Sequence, residues 1–288
     1  MTAPTVVTGA TGGLGGRVAQ LLSQRDVPLR LVVRDPSRAP DLPGADVVVA
    51  TYDDAAALRT AFAGASSVFL VSASEHPERV RQHRTAVDAA AAAGVDRVVY
   101  TSFLGAAEDA TFTFARDHAA TEEHLRASGT AWTFLRDAFY QDVLPHFAGA
   151  DGVLRGPAGD GGLSAVARDD VARAAAAVLT GGAQHDGRSY DLTGPEALSF
   201  DDVAAQLAEV SGRPVSYVRE TVDEAYASRS GYGAPRFEVD GWVSTYTAVA
   251  AGELAAVSGD VERLVGRPPG TFREFLRREP DSWRHLLP

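Results

Sequence analysis

The chain of 288 residues has no cysteine and no lysine, so all 27 of its Lys and Arg positions are arginine. Without cysteine there are no disulfides, no thiol nucleophile and no thiolate-held metal. Without lysine there is no Schiff-base chemistry, no pyridoxal phosphate attachment and no phosphate-loop lysine. Long apolar runs are also missing, none approaching the ~20 residues that span a bilayer. The first residues pass from Met1 straight into an extended segment, so neither a membrane span nor a secretion signal is expected, and the chain is read as cytoplasmic. Positive charge is in deficit, with a net charge of −11. Nucleic acid is therefore not an expected partner, because phosphate contacts need clustered cations. The seven histidines show neither His-x-x-x-His nor His-Glu-x-x-His spacing, and no metal site is expected.

What is present is ordinary for a soluble globular protein: 45% hydrophobic and 23% charged residues. The informative stretch is Thr5 to Arg17. Thr5-Val6-Val7-Thr8 is a β-branched run that reads as a strand, and Val18, Leu21 and Leu22 set a helical period after it. Between them Gly9, Gly12 and Gly15 are spaced three apart, a relative of the dinucleotide fingerprint. A tight turn there needs positive φ, the backbone must approach a pyrophosphate, and the helix must start hard against the strand. Gly9, Thr11, Gly12, Gly13, Leu14 and Gly15 are the candidate phosphate cradle, facing the positive end of the helix dipole.

Further along, strands are expected at Leu29–Val33, Asp46–Ala50, Ser67–Val71, Arg97–Thr101 and Thr130–Leu135. Helices are expected at about Gly13–Arg25, Ala55–Ala63, Pro77–Ala93 and Phe114–Ala127. This alternation predicts an α/β fold, a Rossmann-type doubly wound parallel sheet. Arg34 and Asp35 stand ~20 residues past the glycines, where such units meet the adenosine ribose. An acid there accepts the 2′-hydroxyl of NAD, whereas an arginine grips the 2′-phosphate of NADP. Arg34 is nearer the strand end, with Arg38 in support, which favours NADP(H) over NAD(H). Asp53 is placed near the adenine, and Asp54 as a helix cap. Ser72 and Ala73 lie where the chain crosses over the cofactor. Arg79, Arg81, His83 and Arg84 read as a solvated helix surface. Beyond about Gly149 the texture changes, giving a cofactor domain over residues 1–150. A smaller, mostly helical substrate lobe is expected over 151–288, with some of its segments returning to the first sheet. A helix is expected from Asp169-Asp170 to Thr180, strands at Tyr190–Thr193 and Val215–Val218, and a capped helix from Ser199 to Ser211.

These residues resemble the NmrA-like branch of the atypical short-chain dehydrogenases, in the style of NAD(P)H quinone reductases and triphenylmethane dye reductases. The matching pieces are Thr8 to Gly15, Val33-Arg34-Asp35-Pro36, Ala89 to Thr101, Thr133-Phe134-Leu135-Arg136, Gly159-Asp160-Gly161, Tyr190 to Gly194 and Leu264 to Pro268. They span almost the whole chain. The resemblance implies an NADP-binding Rossmann domain with a small C-terminal lobe. It also implies a role for His118, which matches the position where aromatic-alcohol reductases of the superfamily place a catalytic lysine. After Leu135-Arg136, where those relatives often carry asparagine, this chain has Asp137.

A quinone or an extended dye cation needs little acid–base help, but it needs a nicotinamide held flat against it in a site that limits water. Phe103, Phe139 and Tyr140, at or near strand ends, suit that task or ordinary core packing. His118 is a candidate to orient the nicotinamide ribose or to protonate the product; the alternative is a histidine on a helix surface. Ser102 either bonds the carboxamide or the substrate, or ends its strand. His118, Ser102 and Tyr140 are thus the candidate catalytic residues, and His118, Ser102, Phe103 and Phe139 also border the cofactor. The expected function is NADPH-dependent reduction of a quinone-like or conjugated aromatic acceptor, by a monomer or homodimer. The alternative is a non-catalytic NADP(H) sensor acting through a protein partner. An isomerase with tightly held NADP is disfavoured, since the Tyr-x-x-x-Lys pair of many short-chain dehydrogenases is missing.

Overall fold

The computed structural model describes residues 3–287. In chain order the first elements are β1 (Thr5–Thr8), α1 (Gly15–Ser23), β2 (Leu29–Val33), β3 (Asp46–Val49) and α2 (Ala55–Phe62). Next come β4 (Ser67–Leu70), α3 (Arg79–Ala92), β5 (Arg97–Phe103), α4 (Thr113–Ala127) and β6 (Ala131–Asp137). The remainder is β7 (Val153–Gly156), β8 (Gly162–Leu163), α5 (Arg168–Gly181), β9 (Arg188–Leu192), β10 (Leu198–Ser199), α6 (Phe200–Ser211) and β11 (Ser216–Arg219). The last helices are α7 (Val222–Arg229), α8 (Arg236–Ala250), α9 (Asp260–Val265) and α10 (Phe272–Arg278). None of the helices is long and apolar enough to cross a membrane among the described residues.

Seven strands form one sheet in the order β3-β2-β1-β4-β5-β6-β9. β1 is wholly buried, as a β-branched run in a doubly covered sheet must be. It pairs in parallel with β2 on one side and β4 on the other. The strand order reverses between these two neighbours, so the glycine turn leaves β1 at the topological switch point, where open α/β sheets bind ligands. β5 ends at Phe103, and β6 extends two residues past its expected end, through Arg136 and Asp137. Those two residues are therefore part of the strand rather than the loop after it.

The chain divides into two compact units. The first comprises Met1–Phe103, Asp117–Arg136 and Asp169–Tyr190. Its core gathers Phe62, Leu70, Tyr100, Leu125 and Phe134 against Val6, Val68 and Val98. Each large apolar side chain so buried stabilises by roughly 1.5–3 kcal/mol. The second comprises Leu104–Arg116, Asp137–Arg168 and Asp191–Pro288. In it β7 pairs in parallel with β11, and β8 antiparallel with β10. The Phe200 ring stacks on Tyr246 at 5.0 Å, with Tyr217 at 5.4 Å and Phe147 at 5.5 Å from Phe200. Capping boxes at Ser199/Asp202, Thr221/Glu224 and Thr271/Glu274 start α6, α7 and α10.

Candidate active site

The turn after β1 is built by glycine for separable reasons. Gly9 has φ +61°, the left-handed region that glycine enters without a steric cost. The Gly12 N–H donates to the Gly9 carbonyl at 2.9 Å and closes the turn. α1 starts at Gly15, so Gly13 and Leu14 belong to the turn. A Cβ on Gly15 would lie 2.4 Å from the Gly9 carbonyl oxygen and 2.8 Å from that of Thr8. The helix touches the strand end only because no side chain intervenes. Gly12 differs: a Cβ there would meet just the Gly9 oxygen, at 3.2 Å, and the residue is exposed. Protein packing asks for little at Gly12, whereas the close approach of a pyrophosphate asks for bare backbone. The N-cap residue Leu14 makes no side-chain bond to the helix, and the first turn holds no acid. The N–H groups and the dipole of α1 are thus left to an outside anion, and the turn fits a dinucleotide.

At the end of β2 the two competing candidates part. Asp35 accepts from the Ser37 N–H at 3.0 Å and its hydroxyl at 2.7 Å. Those Ser37 bonds hold its carboxyl below the usual range. Arg34 is exposed and pairs with no carboxylate among the described residues. Asp54 caps α2 through the N–H groups of Ala56 and Ala57, at 3.1 and 2.9 Å. Asp53 accepts instead from Arg81 at 2.7 Å and Gln82 at 3.1 Å, which ties the entry of α2 to α3.

The segment Ser72-Ala73 leaves β4 under close control. The Ser72 N–H donates to the Thr101 hydroxyl at 2.7 Å. The Ala73 N–H donates to His83 Nε2 at 2.8 Å, and its carbonyl accepts from Arg79 Nε at 2.9 Å. This overturns the expected solvated face of α3. Arg81 and Arg84 are exposed, but Arg79 is 4% and His83 0% exposed. The reason is the backbone of the crossing segment, whose polar groups need partners once buried.

The same two side chains determine how His118 is protonated. His118 is buried, not on the helix surface. Its Nε2 lies 3.0 Å from Arg79 Nη2. Arginine can only donate, so Nε2 accepts and the ring hydrogen sits on Nδ1, 2.9 Å from the Tyr100 hydroxyl. His83 is fixed likewise: Nε2 accepts from Ala73, and Nδ1 donates to Thr121, 2.9 Å away. The Thr121 hydroxyl in turn donates to the Asp117 carbonyl at 2.7 Å. Burial, with Arg79 nearby, pushes His83 down to about 3 and His118 well below its ordinary value. Both rings are neutral at physiological pH. Phe103 lies against His118, with ring centroids 6.0 Å apart.

Ser102 is buried within β5 and donates to Glu122 Oε1 at 2.6 Å. Glu122, 1% exposed, also accepts from Arg136 at 2.8 and 2.7 Å and from Arg126 at 2.8 Å. Tyr140 and Phe139 follow the end of β6 in the second unit. There the Tyr140 hydroxyl donates to Asp137 Oδ2 at 2.8 Å, and the Phe139 ring packs on Phe112 at 5.4 Å.

A family model described as NAD(P)H-binding matches residues 9–181, from the turning glycine to the end of α5. The chain belongs to the NAD(P)H-binding family. Over 277 residues it is 33% identical to the NAD(P)H azoreductase of Xenophilus azovorans, covering 94% of this chain and 96% of that protein. The crystal structure of the NADPH-dependent quinone oxidoreductase QOR2 of Escherichia coli, complexed with NADPH, superposes with a TM-score of 0.87 at 34% identity, covering 95% and 99%. The triphenylmethane reductase of Citrobacter sp. gives 0.84 at 30% identity, covering 99% of both chains.

In this NAD(P)H-binding chain sequence reasoning misplaced Arg79 and His83 on the surface and passed over Tyr100, Thr121 and Glu122. A signal existed for the first two. They lie on the face of α3 that carries Ala86, Val87 and Ala90 into the core, a spacing of three and four. Tyr100, 0% exposed, reads as plain strand core, and its hydroxyl meets partners from helices distant in sequence.

Proposed function

We propose that the protein is an NADPH-dependent oxidoreductase that passes hydride to a quinone-like or other conjugated aromatic acceptor. The observation that carries this is the near full-length kinship with reductases of these acceptors, joined to a turn shaped for a dinucleotide. When bound, the reduced nicotinamide supplies the hydride. The chain supplies the rest. Gly9 to Gly15 and the start of α1 would hold the pyrophosphate, Arg34 would take the 2′-phosphate, and the backbone of Ser72-Ala73, fixed by Thr101, His83 and Arg79, would border the bound cofactor. His118, neutral and locked between Arg79 and Tyr100, orients rather than transfers protons, and Phe103, Phe139 and Tyr140 offer flat apolar surface. We assign nucleotide binding mainly to residues 1–150, and acceptor selection to 151–288 together with the Asp137–Tyr140 segment that groups with them, in a cytoplasmic monomer or homodimer. The sensor alternative has no comparable support.

Steady-state oxidation of NADPH against a panel of quinones, azo compounds and triarylmethyl dyes tests this reading, and no turnover with any of them overturns it. Arg34→Ala is expected to weaken NADPH by about tenfold or more while leaving NADH nearly unaffected, since a charge-assisted bond to the 2′-phosphate is worth on the order of 1.5–3 kcal/mol. Equal weakening of both cofactors in a fluorescence titration refutes the assignment.

A further inference from the structure

Asp137, the last residue of β6, is 3% exposed. Its Oδ2 accepts from the Tyr140 hydroxyl at 2.8 Å, and Oδ1 has no hydrogen-bond partner among the described residues. Burial pushes this acid up to about 8, against the opposing pull of Tyr140 and Arg168, so the carboxyl keeps its proton at neutral pH. Arg168 does not cancel that effect. Its guanidinium lies over the Tyr140 ring, 4.4 Å from the centroid, and pairs with Asp142. The Tyr140 segment is pinned, because Gln141 N–H donates to the Val166 carbonyl and Val166 N–H to that of Phe139, each at 2.9 Å. Hydroxyl and carboxyl are thus held together by backbone on both sides. The asparagine expected here from the family resemblance would receive the same Tyr140 bond, but it holds no proton to give up.

We propose that Asp137 holds the proton that completes reduction of a neutral carbonyl-type acceptor, and passes it through the Tyr140 hydroxyl. The proposal rests on the reductase reading above. A quinone that takes a hydride from reduced nicotinamide becomes a hydroquinone monoanion, reduced by two electrons while the nicotinamide is oxidised by two. The Tyr140 O–H bond breaks as its proton reaches the oxyanion. With the phenol O–H turned from Oδ2 to the oxyanion, the Asp137 carboxyl turns its own O–H to the Tyr140 oxygen and returns the proton, and the resulting carboxylate is reloaded from water. A triarylmethyl dye cation differs, since hydride on its central carbon alone gives a neutral product. The pair therefore sorts acceptors by whether they need a proton.

The test compares wild type, Asp137→Asn and Tyr140→Phe with NADPH, using a neutral benzoquinone and a cationic triarylmethyl dye across neutral and alkaline pH. In wild type the quinone rate falls as pH rises past about 8, while the dye rate does not. Asp137→Asn abolishes that fall and lowers the ratio of quinone to dye turnover about 10²-fold, the scale of general acid catalysis. Tyr140→Phe, which keeps the ring under Arg168, lowers the ratio likewise and carries the test if the first variant fails to fold. Separately, infrared difference spectra of protein without cofactor show a protonated carboxyl at neutral pH that Asp137→Asn removes. An unchanged ratio, or no such carboxyl band, overturns the proposal. A wild type that reduces neither acceptor overturns the reductase reading instead, and the carboxyl band still decides where the proton resides.

Discussion

Gly12 and Gly15 look interchangeable in a glycine-rich turn, yet different contacts make each of them necessary. A methyl group on Gly15 runs into backbone at 2.4 Å and 2.7 Å, the oxygen and carbon of Gly9. Neither atom can move without undoing the turn that Gly9 makes. Gly15→Ala is therefore expected to lose about 1–3 kcal/mol of stability, as overpacked sites do, and to lose NADPH binding with it. On Gly12 the methyl meets one carbonyl oxygen at 3.2 Å, which a small shift relieves. Gly12→Ala is expected to keep its thermal midpoint and still bind NADPH weakly, because the methyl occupies the approach to the pyrophosphate. Thermal denaturation beside a fluorescence titration separates the two. A Gly12→Ala protein that binds normally would show that the turn has no ligand on that side.

At the scale of elements, α3 works as a strap on the segment that leaves β4, and Arg79 is the side chain that ties it to α4. Arg79→Ala leaves the Ala73 carbonyl and His118 Nε2 without their donor, at about 1–3 kcal/mol for each buried group left unpaired. It also releases His118 from the Nδ1–H form. Nitrogen NMR of the imidazole is expected to show one fixed neutral tautomer in wild type and a mixture in Arg79→Ala; a fixed tautomer in both would place the control elsewhere. This strap marks where the sequence stops being legible. β1, β2 and β4 are readable because each is an apolar run between turn residues, and Asp54 and Ser199 announce their helices by chemistry that acts within three residues. Arg79 and His83 mislead because their polarity argues for solvent, although the alanines one and two turns on share their face. Tyr100 and Glu122 mislead more deeply. Apart from Arg126 on the same helix, their partners come from other elements 14 to 20 residues away, and no local pattern encodes a hydrogen bond closed only by the tertiary fold.

Over the whole molecule, buried titrating groups of opposite sense give stability a maximum rather than a plateau. His83, at about 3 when folded against an ordinary 6.5, stays neutral in the native protein. Its contribution is present above about pH 6.5 and is lost as pH falls towards 3, because the unfolded chain then binds the extra proton. His118 is shifted in the same direction. Asp137, raised from 3.8 to about 8, acts oppositely: the native protein binds the proton, so stability is lost as pH rises between those values. Each group changes stability by about 1.4 kcal/mol per pH unit inside its own window. Between pH 4 and 6.5 His83, with His118 shifted the same way, opposes Asp137 and stability rises with pH; above 6.5 these histidines are silent and Asp137 lowers it. The net charge of −11 adds self-repulsion on the same alkaline side. The thermal midpoint is thus expected to peak near pH 6.5. Asp137→Asn should flatten the descending limb up to about pH 8 and leave the acid limb in place, while His83→Asn should make the acid limb shallower. Calorimetry across that range checks all three curves, and a wild-type midpoint still rising from pH 6.5 to 8 would mean that the Asp137 carboxyl is not held protonated by the fold.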